Sequence, residues 1–152
     1  MLFPNVFEST VSDLLITRLN NLNAQTAPKW GKMDVAQMLA HCNVTYEMAY
    51  TDKHPKPGFL MGLINKAFIK GIVTGPKPYK PNSPTASAFE MTSPKNFEQE
   101  RDRLVKHIRQ TQALGEAHFE GKKSLVFGAM TANEWNTQFY KHLDHHLTQF
   151  GV

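Results

Sequence analysis

The segment Thr131-Ala132-Asn133-Glu134-Trp135-Asn136-Thr137-Gln138-Phe139-Tyr140-Lys141-His142-Leu143-Asp144-His145-His146-Leu147-Thr148-Gln149-Phe150 decides how this chain is read. Thr131 and Glu134 stand three residues apart, the spacing of a capping box that starts a helix. At about 100° per residue, Trp135, Phe139, His142, Leu143, His146 and Phe150 fall within a sector of roughly 100°, a single apolar stripe. Two imidazoles, His142 and His146, therefore lie inside the core face of this helix, on adjacent turns. His145 falls outside it, about 120° from the centre of the stripe. Burying two imidazoles side by side is unfavourable unless their nitrogens find partners. A divalent metal is one such partner, because His at i and i+4 project from the same face with chelating spacing. Bonds to backbone, water or each other are the alternative.

Upstream, the same periodicity predicts more helices. Val11, Leu14, Leu15, Leu19 and Leu22 mark a first helix over about Ser9–Leu22, broken by Ala27-Pro28-Lys29-Trp30-Gly31. Asp34 with Gln37 forms a second capping box, flanked by Met33 and Met38 at the staple positions. The apolar stripe Val35, Met38, Leu39, Cys42, Tyr46, Ala49 carries that helix to about Tyr50. A third helical pattern covers about Phe59–Val73. Leu60, Leu63, Ile64, Ala67, Phe68 and Ile72 lie on one side of it, and Lys66 and Lys70 on the other. Five prolines between Thr74 and Pro94 predict a long loop, with Ser93-Pro94 suited to start the next helix. That helix is densely charged and runs to about Leu114, with Gly115 as its C′ residue. Ala117–Phe127 reads as an irregular connection. Four or five amphipathic helices with long crossovers, and no convincing strand pair, indicate an all-α bundle.

Composition agrees and excludes several classes. The 152 residues are 41% hydrophobic with ten Phe, enough for one domain, residues 1–152, with its own core. The lone cysteine, Cys42, excludes a disulfide framework and any Cys-rich zinc module, and it points into an apolar stripe. No run approaches the roughly eighteen apolar residues of a spanning helix, and Met1-Leu2-Phe3-Pro4-Asn5, without a basic n-region or a long h-region, is not expected to be a signal peptide. A cytoplasmic protein without stable membrane association is expected. The net charge of +4 conceals an asymmetry, since Lys53 to Lys80 holds six lysines and no acidic residue. Such a patch attracts anions, although it also describes an ordinary solvated face.

A metal site with an open position needs a third ligand on another element. His54 lies in a Pro-rich turn, His107 on the charged helix and His118 in a loop, whereas His41 lies mid-helix at the edge of the second stripe. His41 is the best third candidate. Asp144 falls on the solvent side, and Glu47 can reach a neighbouring helix. There is no phosphate-binding Gly-rich loop, HExxH or Gly-x-Ser-x-Gly motif, so the common NTPase, zincin and α/β-hydrolase classes are excluded.

The segment Trp30-Gly31-Lys32-Met33-Asp34-Val35-Ala36-Gln37-Met38-Leu39-Ala40-His41-Cys42 resembles the DinB/YfiT-like superfamily of metal-binding four-helix bundles. So does Trp135 followed by Tyr140-Lys141-His142-Leu143-Asp144-His145-His146-Leu147-Thr148-Gln149-Phe150-Gly151. Gly75-Pro76-Lys77-Pro78 and Asn82-Ser83-Pro84-Thr85 resemble one uncharacterised branch of it, known only as a domain of unknown function. The resemblance implies a four-helix bundle with long crossover loops and a metal, zinc or nickel, held by His41, His142 and His146. The helical wheel selects the same three residues. Dimers are common among such relatives, and some are thiol-dependent S-transferases or isomerases.

The resemblance thus implies a metal-dependent enzyme acting on a small electrophile, with a low-molecular-weight thiol as co-substrate. Lys70, Lys77 and Lys80 are candidates to steer an anionic substrate. A metal-dependent hydrolase is the rival enzyme, and a non-enzymatic metal-binding or stress-related bundle the rival class. A third alternative lays the Lys66/Lys70 helix on a membrane or nucleic acid. Six lysines without matching arginine or aromatic readout argue against nucleic acid.

Overall fold

Two reciprocal caps fix where the main helices begin. A computed structural model describes residues 1–152. In order, the elements are α1 (Ser9–Asn20), α2 (Val35–Tyr50), α3 (Phe59–Ile64), α4 (Lys70–Thr74), α5 (Phe97–Phe119), β1 (Lys123–Ser124), β2 (Gly128–Ala129) and α6 (Ala132–Gln149). The Asp34 carboxylate accepts from the Gln37 amide at 2.8 Å, and the Gln37 side chain accepts from the Asp34 amide at 3.1 Å. Thr131 and Glu134 do the same at the start of α6, at 3.2 and 2.9 Å. Both boxes stand where the sequence places them. Asp34 and Thr131 hold extended backbone, as N-caps require.

The fold is all-α apart from one very small sheet. Helices α1, α2, α5 and α6 contribute to one apolar core, in which Leu19, Met38, Leu39, Leu104 and Leu147 have no exposed surface. The α6 stripe faces it, with Trp135, Phe139 and Leu143 each 1% exposed. Trp135 and Phe139 stack at 5.5 Å between ring centroids, and Phe119 meets both at 5.6 Å. Residues 75–96 form the long crossover from α4 to α5, with a 3₁₀ turn at Ser87–Phe89.

Several sequence expectations need correction. The α5 N-cap is Asn96 rather than Ser93, its side chain accepting from the Gln99 amide at 2.9 Å. Asn is a strong N-cap, and its position beyond Pro94 leaves the proline outside the helix. Gly115 has the positive φ of a C′ residue, +71°, yet one more helical turn follows it and ends at the fully buried Phe119. Burying that ring against Phe7, Trp135 and Phe139 turns the chain back toward the core. Within the expected irregular connection, β1 and β2 pair antiparallel. Two-residue strands are too short for periodicity to reveal.

The largest departure concerns α3 and α4, which are continuous through a π turn at Asn65–Ile69. Their apolar stripe faces solvent, and polar contacts tie them to α6. Lys70 pairs with Glu134 at 2.8 Å, and the buried Lys141 ammonium donates to the carbonyls of Ile72 and Gly75, both at 2.7 Å. No helix is long and apolar enough to cross a membrane.

Candidate metal centre

The antiparallel run of α2 and α6 brings the start of one beside the end of the other, so His41 meets His142 and His146. Ligand nitrogens of the three lie within 4.8 Å of one another. His41 and His146 are buried, and His142 is half-buried. The Nε2 atoms of His41 and His142 are 3.0 Å apart. The His146 ring stands edge-on to both neighbours, with centroids 4.5 Å from His41 and 4.8 Å from His142. The two α6 histidines thus share one face with His41, as the wheel predicts.

The surrounding bonds fix which nitrogen of each ring is available. A carbonyl can only accept, so His41 Nδ1 carries the proton it donates to Phe89 O at 2.9 Å, leaving Nε2 with a lone pair. Gln149 Nε2 donates to Trp30 O at 2.7 Å, which turns Gln149 Oε1 toward His146 Nδ1 at 2.8 Å. His146 Nδ1 therefore donates, and its Nε2 is also a free lone pair. His142 differs, because its Nδ1 faces the Thr45 hydroxyl at 3.1 Å, a group that either donates or accepts. His142 has a choice of tautomer that its two neighbours lack.

Two Nε2 atoms at 3.0 Å repel unless a positive centre lies between them. Either His142 Nε2–H donates to His41 Nε2, or a cation accepts both lone pairs. Metal–nitrogen bonds of about 2.0–2.1 Å would put ligand nitrogens roughly 3.3 Å apart, so a small divalent ion would need the His41–His142 pair, at 3.0 Å, to open slightly, and would draw in any of the three that stands nearer the 4.8 Å limit. Burial favours the neutral rings that ligation requires. It lowers the pKa of His41 and, together with the neighbouring rings, holds His142 well below the usual range. Burial and His41 push His146 down to about 3.

Aromatic rings frame the cluster. Phe89 lies 5.2 Å from the His41 ring and 5.8 Å from His142. Tyr79 stands edge-on to His142 at 6.4 Å and to His145 at 5.7 Å. The Trp30 ring lies 5.8 Å from His145, tilted to it. His145 is thus half-buried among rings, not turned fully to solvent. Lys141 lies 4.7 Å from the Tyr79 ring and also donates to Lys77 O at 3.2 Å, so it anchors the crossover that carries Tyr79.

The remaining candidates lie apart from this cluster. His54 bonds Glu47 at 2.7 Å, His107 bonds Asn43 at 2.9 Å and stacks on Tyr46, and His118 is exposed. Asp144 pairs with Arg18 at 2.6 Å. Cys42 is buried beside Met38 Sδ at 3.7 Å, and burial pushes its thiol pKa far up, so it is a packing residue. Glu47 does reach a neighbouring helix, pairing with Arg103 on α5 as well as with Lys53 at 2.9 Å. Thr45 and Phe89 are the site residues that sequence reasoning did not single out, and Gln149 entered it only as part of the segment that carries the resemblance, with no role assigned. Its signal is its place three residues after His146.

These features define a helical protein with a three-histidine cluster able to hold a divalent ion. The chain belongs to the family described as Protein of unknown function (DUF1569), whose model matches residues 6–151. No curated protein and no solved structure matches it.

Proposed function

We propose that this chain is a metal-dependent enzyme on a DinB/YfiT-like four-helix bundle. His41, His142 and His146 would hold one divalent ion, zinc or nickel, and the substrate is a small electrophile with a low-molecular-weight thiol as co-substrate. The observation that carries the reading is the convergence of three imidazoles, two with Nδ1 committed to a fixed acceptor and Nε2 left available. An ion there would supply Lewis acidity and lower the pKa of a thiol or water at its open position. The protein's own groups do the orienting. Phe89 O and Gln149 hold two rings, Thr45 serves the third, and the Tyr79 and Phe89 rings limit water at the cluster. Cys42 is sequestered in the core, so the reacting thiol must come from outside the chain.

Of the lysines considered for steering an anionic substrate, Lys70 is engaged with Glu134 and the Ala129 carbonyl. Lys77 and Lys80 are exposed on either side of Tyr79 and keep that role. The aromatic cover also favours a second reading, a metal-binding module without catalysis. A hydrolase remains the rival enzyme.

Untagged, metal-loaded protein mixed with a small thiol and a chlorodinitrobenzene electrophile separates these readings. Conjugation that depends on bound metal and is lost in His142→Ala supports the transferase. Full metal occupancy with no conjugation rejects it. Metal-dependent cleavage of a nitrophenyl ester without conjugation identifies the hydrolase.

A further inference from the structure

Eight of the twelve exposed large apolar side chains lie between Phe59 and Ile72. Phe59 is 86% exposed, Leu60 71%, Phe68 68% and Ile72 59%. Isolated apolar residues are ordinary on a surface, but a contiguous stripe of this kind marks an interaction face. The helix is inverted relative to a core-packing one. Lys70, on the opposite side from the stripe, binds Glu134 on α6, while the apolar side points outward.

The charge around the stripe says what it fits. From Lys53 through Phe89 the sequence contains no Asp or Glu. Lys56, Lys66, Lys77 and Lys80 are exposed and make no ion pair, although most acidic residues elsewhere do. The face continues into a groove of about 590 Å³ between α3 and the β1–β2 turn, lined by Leu125 and Val126, by Lys56, Lys66 and Lys123, and by one carboxylate, Asp52. An amphipathic helix with Phe and Leu outward, and with exposed lysines in the segments that precede and follow it, has the chemistry of an interfacial helix. A second copy seated on the same face would oppose two acid-free lysine segments, and like charges so placed repel.

We propose that the outer face of α3 and α4, with the exposed Lys56 just before it in the chain and the exposed Lys77 and Lys80 just after it, docks reversibly on an anionic lipid surface. The apolar side chains enter the headgroup–acyl boundary, and the lysines hold the anionic headgroups. This is peripheral binding without a spanning segment. It does not require metal at the three-histidine site, although Lys77 and Lys80 are also the lysines assigned to steering substrate there.

Co-sedimentation of the full chain with vesicles tests it directly. Vesicles of phosphatidylcholine with phosphatidylglycerol should capture the protein, those of phosphatidylcholine alone should not, and added salt should weaken capture. Replacing Lys56, Lys77 and Lys80 together by Gln should lower partitioning about a hundredfold at low salt. The double variant Phe59→Ser, Phe68→Ser should lower it at least about tenfold. Both variants change exposed positions, and an unaltered circular dichroism melt confirms that each folds. Absence of capture, equal capture by both vesicle types, or unchanged capture of the Phe variant overturns the proposal. So does a concentration-dependent dimer in sedimentation velocity that the Phe substitutions dissolve, since a second copy is then the occupant.

Discussion

Replacing Thr45 by valine removes a hydroxyl and keeps the shape of the side chain, so it isolates one hydrogen bond at His142. That bond is 3.1 Å long and is the only polar contact of His142 Nδ1. With an ion on Nε2, Nδ1 must carry a proton and donate it to Thr45 Oγ1. In protein stripped with a chelator, Nε2 carries the proton toward His41 and Thr45 donates to Nδ1. Valine removes a partner from both states, and affinity changes only by the difference. A donor on a ring polarised by a divalent ion loses about 1.5–3 kcal/mol, whereas a neutral acceptor loses about 0.5–1.5 kcal/mol. The difference of about 1–2 kcal/mol corresponds to roughly five- to thirtyfold weaker metal binding, within the range for partners of ligating histidines. Chelator competition measures the affinity. Nitrogen NMR of the His142 ring reads the tautomer, which should move its proton from Nε2 to Nδ1 on loading in the wild type. Thr45→Ser should restore both. Affinity of Thr45→Val within twofold of the wild type, or a His142 tautomer unchanged by loading, would refute the assignment.

Glu47 supplies a pH prediction. It is 5% exposed, and burial alone would raise its pKa, but bonds from Lys53 and His54 and the charges of Lys53 and Arg103 hold it at about 2. A depressed carboxyl contributes stability that is full above its unfolded value, about 4.3, and is lost as pH falls through the folded value. Glu47→Gln should thus be roughly 1–3 kcal/mol less stable near neutral pH by denaturant titration, with the gap closing near pH 2; a gap independent of pH refutes it. Gly31 has φ +89°, and a Cβ there would lie 2.6 Å from Gln149 Nε2. Gly31→Ala should cost roughly 1–2 kcal/mol in backbone strain. Because it displaces the amide that orients His146, it should weaken metal binding as well. Loss of stability with unchanged metal affinity would separate Gln149 from the site.

What was legible in the sequence follows the range of the forces involved. The two capping boxes are local, so Asp34 with Gln37 and Thr131 with Glu134 could be read from spacing alone. The His142 and His146 pair was legible for the same reason, since one helix fixes their common face. His41 required an edge position on a second stripe, and the packing of α2 against α6 brings it there. Phe89 was not legible, because it acts through its carbonyl, and a carbonyl leaves no mark in residue type. Thr45 looked like any boundary hydroxyl until His142 stood opposite it. The stripe of Leu60, Leu63, Phe68 and Ile72 was correctly read as one face, but periodicity cannot say whether a face turns inward. Polar anchors decided that, through Lys70 and the buried Lys141.

The proposed function requires His41, His142 and His146 to act as one metal centre. Elemental analysis of untagged protein, purified from metal-replete cells and compared with His142→Ala, tests this most directly. One equivalent of a divalent transition metal per chain in the wild type, and almost none in the variant, is the predicted result. Wild-type protein that stays folded and free of metal under those conditions would contradict it.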